Sequence, residues 1–317
     1  MEKMMSVILL LCLNILPSSY ALPNPEAMPE PDLTIQVIQS VGGGYGSGSS
    51  GSLEENDDHD EGSCSHWKYP STSWPDICPD YCSGQSQSPI DIVTSTLPTD
   101  NNVFRFQEYG VPINTVNLKN NGHSATISWD NSVNSLSISG GGLSGNYTLA
   151  QFHLHWGCEN SQGSEHTVDG HSYPMELHLV HYKTAYGSLG EAIKHSDGLA
   201  VLGIFIEVGS ENLALKPITD NLYQITEADV DVDISYNKKI EDVLPTSSDS
   251  FYRYLGSLTT PTCNEVVIWS VIKNTIEISQ AQLDAFRSIK DHEGHSICDN
   301  FRYVQPLNGR TIDKINI

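Results

Sequence analysis

From Cys64 onward, apolar and polar residues alternate in short runs separated by Gly, Asn and Ser clusters. Ala125–Trp129, Ser135–Ser139 and Gly203–Val208 carry the pattern most clearly. Side chains two apart share one face of a strand, so such runs predict short strands. Helical periodicity is sparse. It covers Ser188–Lys194, Asn212–Tyr223 and Ser279–Lys290, the last opened by Ser279 as an N-cap. The expected fold class is mainly β (α+β): one domain over residues 64–317, with a few short peripheral helices and no internal linker or repeat.

Two of these runs carry chemistry. In Gln151-Phe152-His153-Leu154-His155-Trp156-Gly157, alternation sets His153 and His155 on one face and Phe152, Leu154 and Trp156 on the core face. In Glu176-Leu177-His178-Leu179-Val180-His181, Glu176 and His178 share a face. Pairing of the two strands would bring His178 beside the first two histidines. Three neutral imidazoles with a fourth position left open is the ligand set of a catalytic zinc. A single histidine on a half-buried strand is more often just a satisfied polar group. Two such strands, with Gln151 and Glu176 ready to accept from ring N–H groups, favour the metal.

The chain has 317 residues, 38% of them hydrophobic, which suffices for one large core. Its beginning does not belong to that core. Met1-Glu2-Lys3, an apolar run from Val7 to Leu16, and small residues at Ser19 and Ala21 predict a signal peptide over residues 1–21. The run is shorter than the ~20 residues a membrane span needs, and no second long apolar segment follows. A secreted protein with no membrane partner is expected. Residues 22–63 are Pro-rich, then Gly/Ser-rich, then acidic over Glu54–Glu61. That composition cannot bury enough apolar surface to order itself, so a disordered segment is expected.

The formal charge of −23 argues against nucleic acid as a partner. The acidic run reads first as a solvated tether. Its sharper reading is a weak, diffuse contact with Ca2+, a mineral or a matrix, since it does not match an ordered calcium loop. Six of the seven cysteines remain once Cys12 leaves with the signal peptide. An even number suits an oxidising compartment, but sequence alone does not choose their pairing. The only closely spaced pair, Cys78-x-x-x-Cys82, is not a zinc knuckle. Asn146-Tyr147-Thr148 is a sequon, which makes Asn146 a candidate glycosylation site.

Six motifs in order then carry a resemblance: Gln87–Ile92, Asn120-Asn121-Gly122-His123, Gln151–Gly157, Gly163–Val168, Glu176–His181 and Ser257-Leu258-Thr259-Thr260-Pro261. Over Cys64–Arg310 the chain resembles the alpha-class carbonic anhydrases. The resemblance implies a large twisted, mostly antiparallel sheet and zinc at the bottom of a cleft. It also implies reversible hydration of carbon dioxide to bicarbonate and a proton. Neutral ligands leave the zinc its full charge, which acidifies a water in the fourth position, an effect for which carbonic anhydrase is itself the standing example.

Residue by residue, the resemblance makes His153, His155 and His178 the zinc ligands. Gln151, Glu176 and the Asn300 carbonyl become their hydrogen-bond partners. Thr259 aims the nucleophile and donates to Glu165. The carbon dioxide pocket is Val180, Val201, Leu258, Val267 and Trp269, with Thr260 beside them. His123 takes the proton-shuttle position, where a ring titrating near neutral pH suits the task. Tyr69 and Asn121 hold the water chain that leads to it, and Thr126 stands where many members have Asn or Gln. His166 and His181 are expected to be structural, and His66 an auxiliary relay. A Cys82–Cys263 bridge is implied, bracing the Thr259 loop. Cys158–Cys298 with Cys64–Cys78 is one arrangement of the others, whose pairing stays open.

Two alternatives compete with this reading. A catalytically silent relative, serving as a matrix or mineral-binding module, usually lacks a ligand or its support, and here all are present. A cupin-like metal oxygenase also uses His-x-His, Glu and His, but lacks the Ser-Leu-Thr-Thr-Pro segment. Secretion with an acidic leader resembles the secreted members of calcifying invertebrates, so bicarbonate supply for biomineralisation is the expected setting.

Overall fold

Phe152, Leu154 and Trp156 are fully buried on one face of the strand Tyr147–Trp156, and His153 and His155 turn to the other. Met175–Lys183 pairs antiparallel with this strand. The register sets His178 directly across from His153, and Glu176 across from His155. Ala125–Ser128 flanks the other side with Thr126 opposite His153, and Leu199–Val208 follows with Gly203 opposite His178. Thr126, His153, His178 and Gly203 therefore form one row across four strands. Register is strongly specified where a face is buried, because a one-residue slip would turn every side chain over.

The structure, a computed structural model, describes residue 64 and residues 67–96, 99–132, 135–246 and 250–316. The expected signal peptide, the 22–63 segment with its acidic run, and His66 lie outside the described residues. Among those described, twelve strands form one sheet. Its path runs 231–238, 113–120, 125–128, 147–156, 175–183, 199–208, 267–278, 250–256, 313–316 and 99–101. Strands 104–107 and 137–140 attach at one side. Pairing is antiparallel except between 199–208 and 267–278 and between 313–316 and 99–101.

Both sheet faces are apolar. Leu118, Ile127, Phe152, Leu177, Leu202 and Ile204 belong to the larger core. Val180, Val201, Phe205, Tyr254 and Trp269 form a second one on the histidine side. This double burial explains a boundary that alternation misplaces. The strand expected over Gly203–Val208 begins at Leu199, and Leu199–Ile206 is buried throughout, so its first half shows no polar positions. Ala125–Trp129 ends at Ser128, and Ser135–Ser139 becomes Ser137–Gly140.

A register shift between Leu149 and Gln151 breaks strict alternation a second time. The extra residue is a bulge. It returns Leu149 to the larger core with Phe152, while Gln151 stays on the histidine face.

The helices are shorter than their periodicity predicts. Ser188 caps a helix of only Leu189–Ala192. The Asn212–Tyr223 helix is not formed as one piece. Asn212 Oδ1 accepts from the Ala214 and Leu215 N–H groups and makes a turn instead. One helical turn, Lys216–Thr219, and a 3-10 turn, Leu222–Ile225, follow. Ser279 caps Gln280–Phe286 reciprocally with Gln282, and the helix stops four residues before Lys290. No helix among the described residues is long and apolar enough to cross a membrane.

Three disulfides pin the loops: Cys64–Cys78, Cys82–Cys263 and Cys158–Cys298. Trp74, Cys78, Cys82 and Cys263 form a third small core, against which Trp67 and Tyr69 pack.

Candidate metal centre

Each of the three histidines has one ring nitrogen occupied and one free. His153 Nδ1 lies 3.1 Å from Gln151 Oε1, and His155 Nδ1 lies 2.7 Å from the Asn300 carbonyl oxygen. His178 uses its other nitrogen: Nε2 lies 2.8 Å from Glu176 Oε1. The partners select the tautomers, leaving Nε2 of His153, Nε2 of His155 and Nδ1 of His178 as bare lone pairs. A set of ligand atoms from these rings lies within 4.8 Å of one another.

Electrostatics keeps these rings uncharged. Burial lowers all three, His155 to about 3, and mutual repulsion among the rings adds to the effect on His153 and His155. His155 Nε2 is buried with no hydrogen-bond partner. An orphaned buried nitrogen is costly unless something binds it. Three neutral nitrogens around one point are the donor set that zinc takes in catalytic sites.

Glu176 serves more than one ring. Its Oε1 accepts from His178 Nε2 and from His166 Nδ1 at 2.7 Å, and its Oε2 accepts from the His166 backbone N–H. Burial opposes its charge, but the two histidines and their hydrogen bonds outweigh burial and hold it well below the usual carboxylate range. His166, Glu176 and His178 are close enough to suggest a second metal group, yet their atoms are spent on one another. His166 Nε2 meets the Tyr254 hydroxyl, and His181 sits between the Tyr109 hydroxyl and the Ala200 carbonyl. Both are structural.

Glu165 is buried. The Arg302 backbone N–H donates to its Oε1 at 2.8 Å, while Oε2 has no hydrogen-bond partner. That free oxygen points into the site, 3.5 Å from His155 Nε2 and 3.9 Å from His178 Nδ1. Burial pushes the carboxyl well above the usual range, against the pull of Thr259 and the Arg302 N–H. No hydrogen bond reaches Oε2 itself.

A family model for eukaryotic-type carbonic anhydrase matches residues 69–316. This chain belongs to that family. Carbonic anhydrase 7 of Mus musculus is 40% identical over 247 residues, covering 76% of this chain and 92% of the relative. Carbonic anhydrase 7 of Homo sapiens is 40% identical over 235 residues, covering 72% and 88%. The chain is a carbonic anhydrase, its substrate pair is carbon dioxide and bicarbonate, and its cofactor is zinc, which the histidine trio fits.

The remaining sequence candidates fall into two places, and a third holds residues of another kind. Val180, Val201, Val267 and Trp269 are buried in the histidine-side core, with Leu258 packed against it and Thr260 partly exposed nearby. The Trp269 ring lies 4.8 Å from His178, and its N–H donates to the Ser257 carbonyl. The Cys82–Cys263 bridge closes the loop after Thr259, where the Cys263 N–H donates to the Thr260 carbonyl. Asn146 is exposed, and the Thr148 hydroxyl of its sequon pairs with that of Thr184.

The second place is the cleft rim. Tyr69 packs against Trp67 and Trp74, and burial, then Glu165, raises its hydroxyl well above the usual phenol value. Asn121 Oδ1 accepts from the His123 and Ser124 N–H groups, so this oxygen fixes the turn that carries His123. His123 stacks face to face on Trp67 at 3.8 Å. Burial and the neighbouring His292 lower it to about 4.

The third place holds residues the sequence did not flag. Arg302 is buried, donating to Gln87 Oε1, the Ser88 carbonyl and the Cys82 carbonyl. Trp67 and His292 frame His123. None of these stands in an alternating run or a spaced motif, so no local signal marks them.

Proposed function

We propose that this carbonic anhydrase works as a secreted enzyme, with His153, His155 and His178 as its zinc ligands. The single observation behind the ligand assignment is the convergence of three uncharged, individually buttressed ring nitrogens on one buried point. Bound there, zinc supplies the Lewis acidity that makes water a nucleophile near neutral pH. The protein does the rest. Glu165 Oε1 is taken by Arg302, so Oε2 is the atom left to accept from Thr259. With its proton so committed, the Thr259 oxygen accepts from the attacking water and aims its lone pair. Val180, Val201, Leu258, Val267 and Trp269 offer carbon dioxide an apolar wall, with Thr260 at its edge. The released proton leaves toward His123, past Tyr69 and Asn121.

Stopped-flow carbon dioxide hydration tests this directly. Activity should vanish on chelation and return with zinc; activity indifferent to chelation would overturn the ligand assignment.

Secretion is supported by the apolar N-terminal run, which precedes the family match at residue 69, and by three disulfides that an oxidising compartment sustains. Expressed in animal cells, the protein should appear in the medium beginning at Leu22; retention inside the cell would refute this. The acidic run Glu54–Glu61 suits weak Ca2+ or mineral contact near a source of bicarbonate. Removing residues 22–63 should then weaken adsorption to calcium carbonate while leaving hydration intact. Equal adsorption of both forms would remove the mineral role.

A further inference from the structure

The geometry points to His292 as the outer station of the proton path: it takes from His123 the proton that hydration releases and hands it to buffer, with Asp229 holding the charged ring. The assignment rests on the carbonic anhydrase reading above.

His123 has one face covered by Trp67, with the ring planes 12° apart. His292 lies edge-on to it, with ring centroids 5.8 Å apart, so the two imidazoles are immediate neighbours. The His292 side chain is 50% exposed, and its Nε2 lies 3.0 Å from Asp229 Oδ2. One ring is withdrawn and the next is wet.

The seat of His292 is shaped by Gly122. A Cβ there would lie 2.0 Å from His292 Cε1 and 2.3 Å from Nδ1, so only a glycine lets the ring settle beside the turn. That turn is held by Asn121 Oδ1, which accepts from the His123 N–H at 3.0 Å. The two rings are therefore placed by adjoining residues of one fixed turn.

Withdrawal makes His123 a poor reservoir, since burial, and then His292, lower it to about 4. It passes a proton on rather than storing it. Imidazole suits this because it accepts at one nitrogen and releases from the other, so charge and proton count are restored after each transfer. Asp229 and Asp291 act on His123 in the opposite sense. The other charged groups at this rim are largely paired: Lys68 with Glu293, His295 with Asp291 and Glu293, and Lys290 with Glu227.

The test uses the zinc-loaded enzyme. In weak buffer, His292→Ala should lower kcat about tenfold, short of the ~100-fold of a lost acid–base group because slower exits remain. Its kcat/KM for carbon dioxide should stay unchanged, and imidazole should restore kcat. A series path requires that His123→Ala/His292→Ala be no slower than His123→Ala alone. A readout independent of turnover is the His123 ring titration by NMR, which should move up in His292→Ala and down in Asp229→Asn. Unchanged kcat in weak buffer, multiplicative losses in the double variant, or an unmoved His123 titration would each overturn the assignment. A native enzyme inactive even in concentrated imidazole would instead sink the activity, and this path with it.

Discussion

Glu165 aims its unpartnered Oε2 at the unpartnered His155 Nε2 across 3.5 Å. Two buried polar atoms without hydrogen bonds are expensive, and both face the point where the three ligand nitrogens meet. Strain of this kind belongs where a cation and an oriented nucleophile complete the set.

Glu165→Gln tests that reading. The amide keeps an acceptor for the Arg302 N–H but presents a donor to Thr259. Hydration should fall about 100-fold in kcat/KM, the scale for a group that positions a transferring proton, while zinc content stays at one ion per chain. Near-native hydration would show that Glu165 does not orient Thr259.

Glu176 buttresses His178 and His166 together, so Glu176→Gln should weaken zinc binding by about 10–100-fold, the usual cost of losing such a partner. Gly203→Ala should reproduce part of this from a neighbouring strand, because its Cβ would lie 2.9 Å from Glu176 Oε1. Chelator competition measures both, and unaltered affinity in Gly203→Ala would show that the carboxylate adjusts freely.

The zinc-free protein should be acid-labile from near neutrality. Burial lowers His155 and His181 to about 3, and His153 and His178 also fall. Unfolded, each titrates near ~6.5. Below that value the unfolded chain binds more protons, so stability is whole above it and drains as pH falls toward 3. Each such histidine contributes a slope of about 1.4 kcal/mol per pH unit. Denaturant midpoints at pH 7, 6 and 5 should drop in sequence; a flat series would mean that these rings are charged in the folded state.

Cys82 and Cys263 are 181 residues apart, and their bridge closes the loop that follows Thr259. Replacing both by serine should cost about 2–4 kcal/mol of stability. It should also depress hydration at temperatures where the protein stays folded, because Thr259 loses its brace. Lost stability with full activity would confine the bridge to a structural role.

Much of this site was legible along the chain because the two-residue period of a strand is a local property. It places His153 with His155, and Glu176 with His178, whatever the rest of the fold. The same rule failed at Leu149, where a bulge returned the side chain to the core, and at Leu199–Leu202, where burial on both faces erased the pattern. Helix lengths failed for a related reason. Side-chain hydrogen bonds such as that of Asn212 compete with the helix, and periodicity does not register them.

The sequence by itself determined which side chains share a face and what chemistry they carry. Only the tertiary structure decided which faces meet: His178 across from His153, the Asn300 carbonyl 145 residues along the chain from His155, and Arg302 137 residues from Glu165. It also decided which nitrogen of each ring stays free, and set His292 beside His123. Periodicity constrains direction about one backbone, whereas register and long-range contact are chosen by the packing of many segments at once, and no local pattern records that choice.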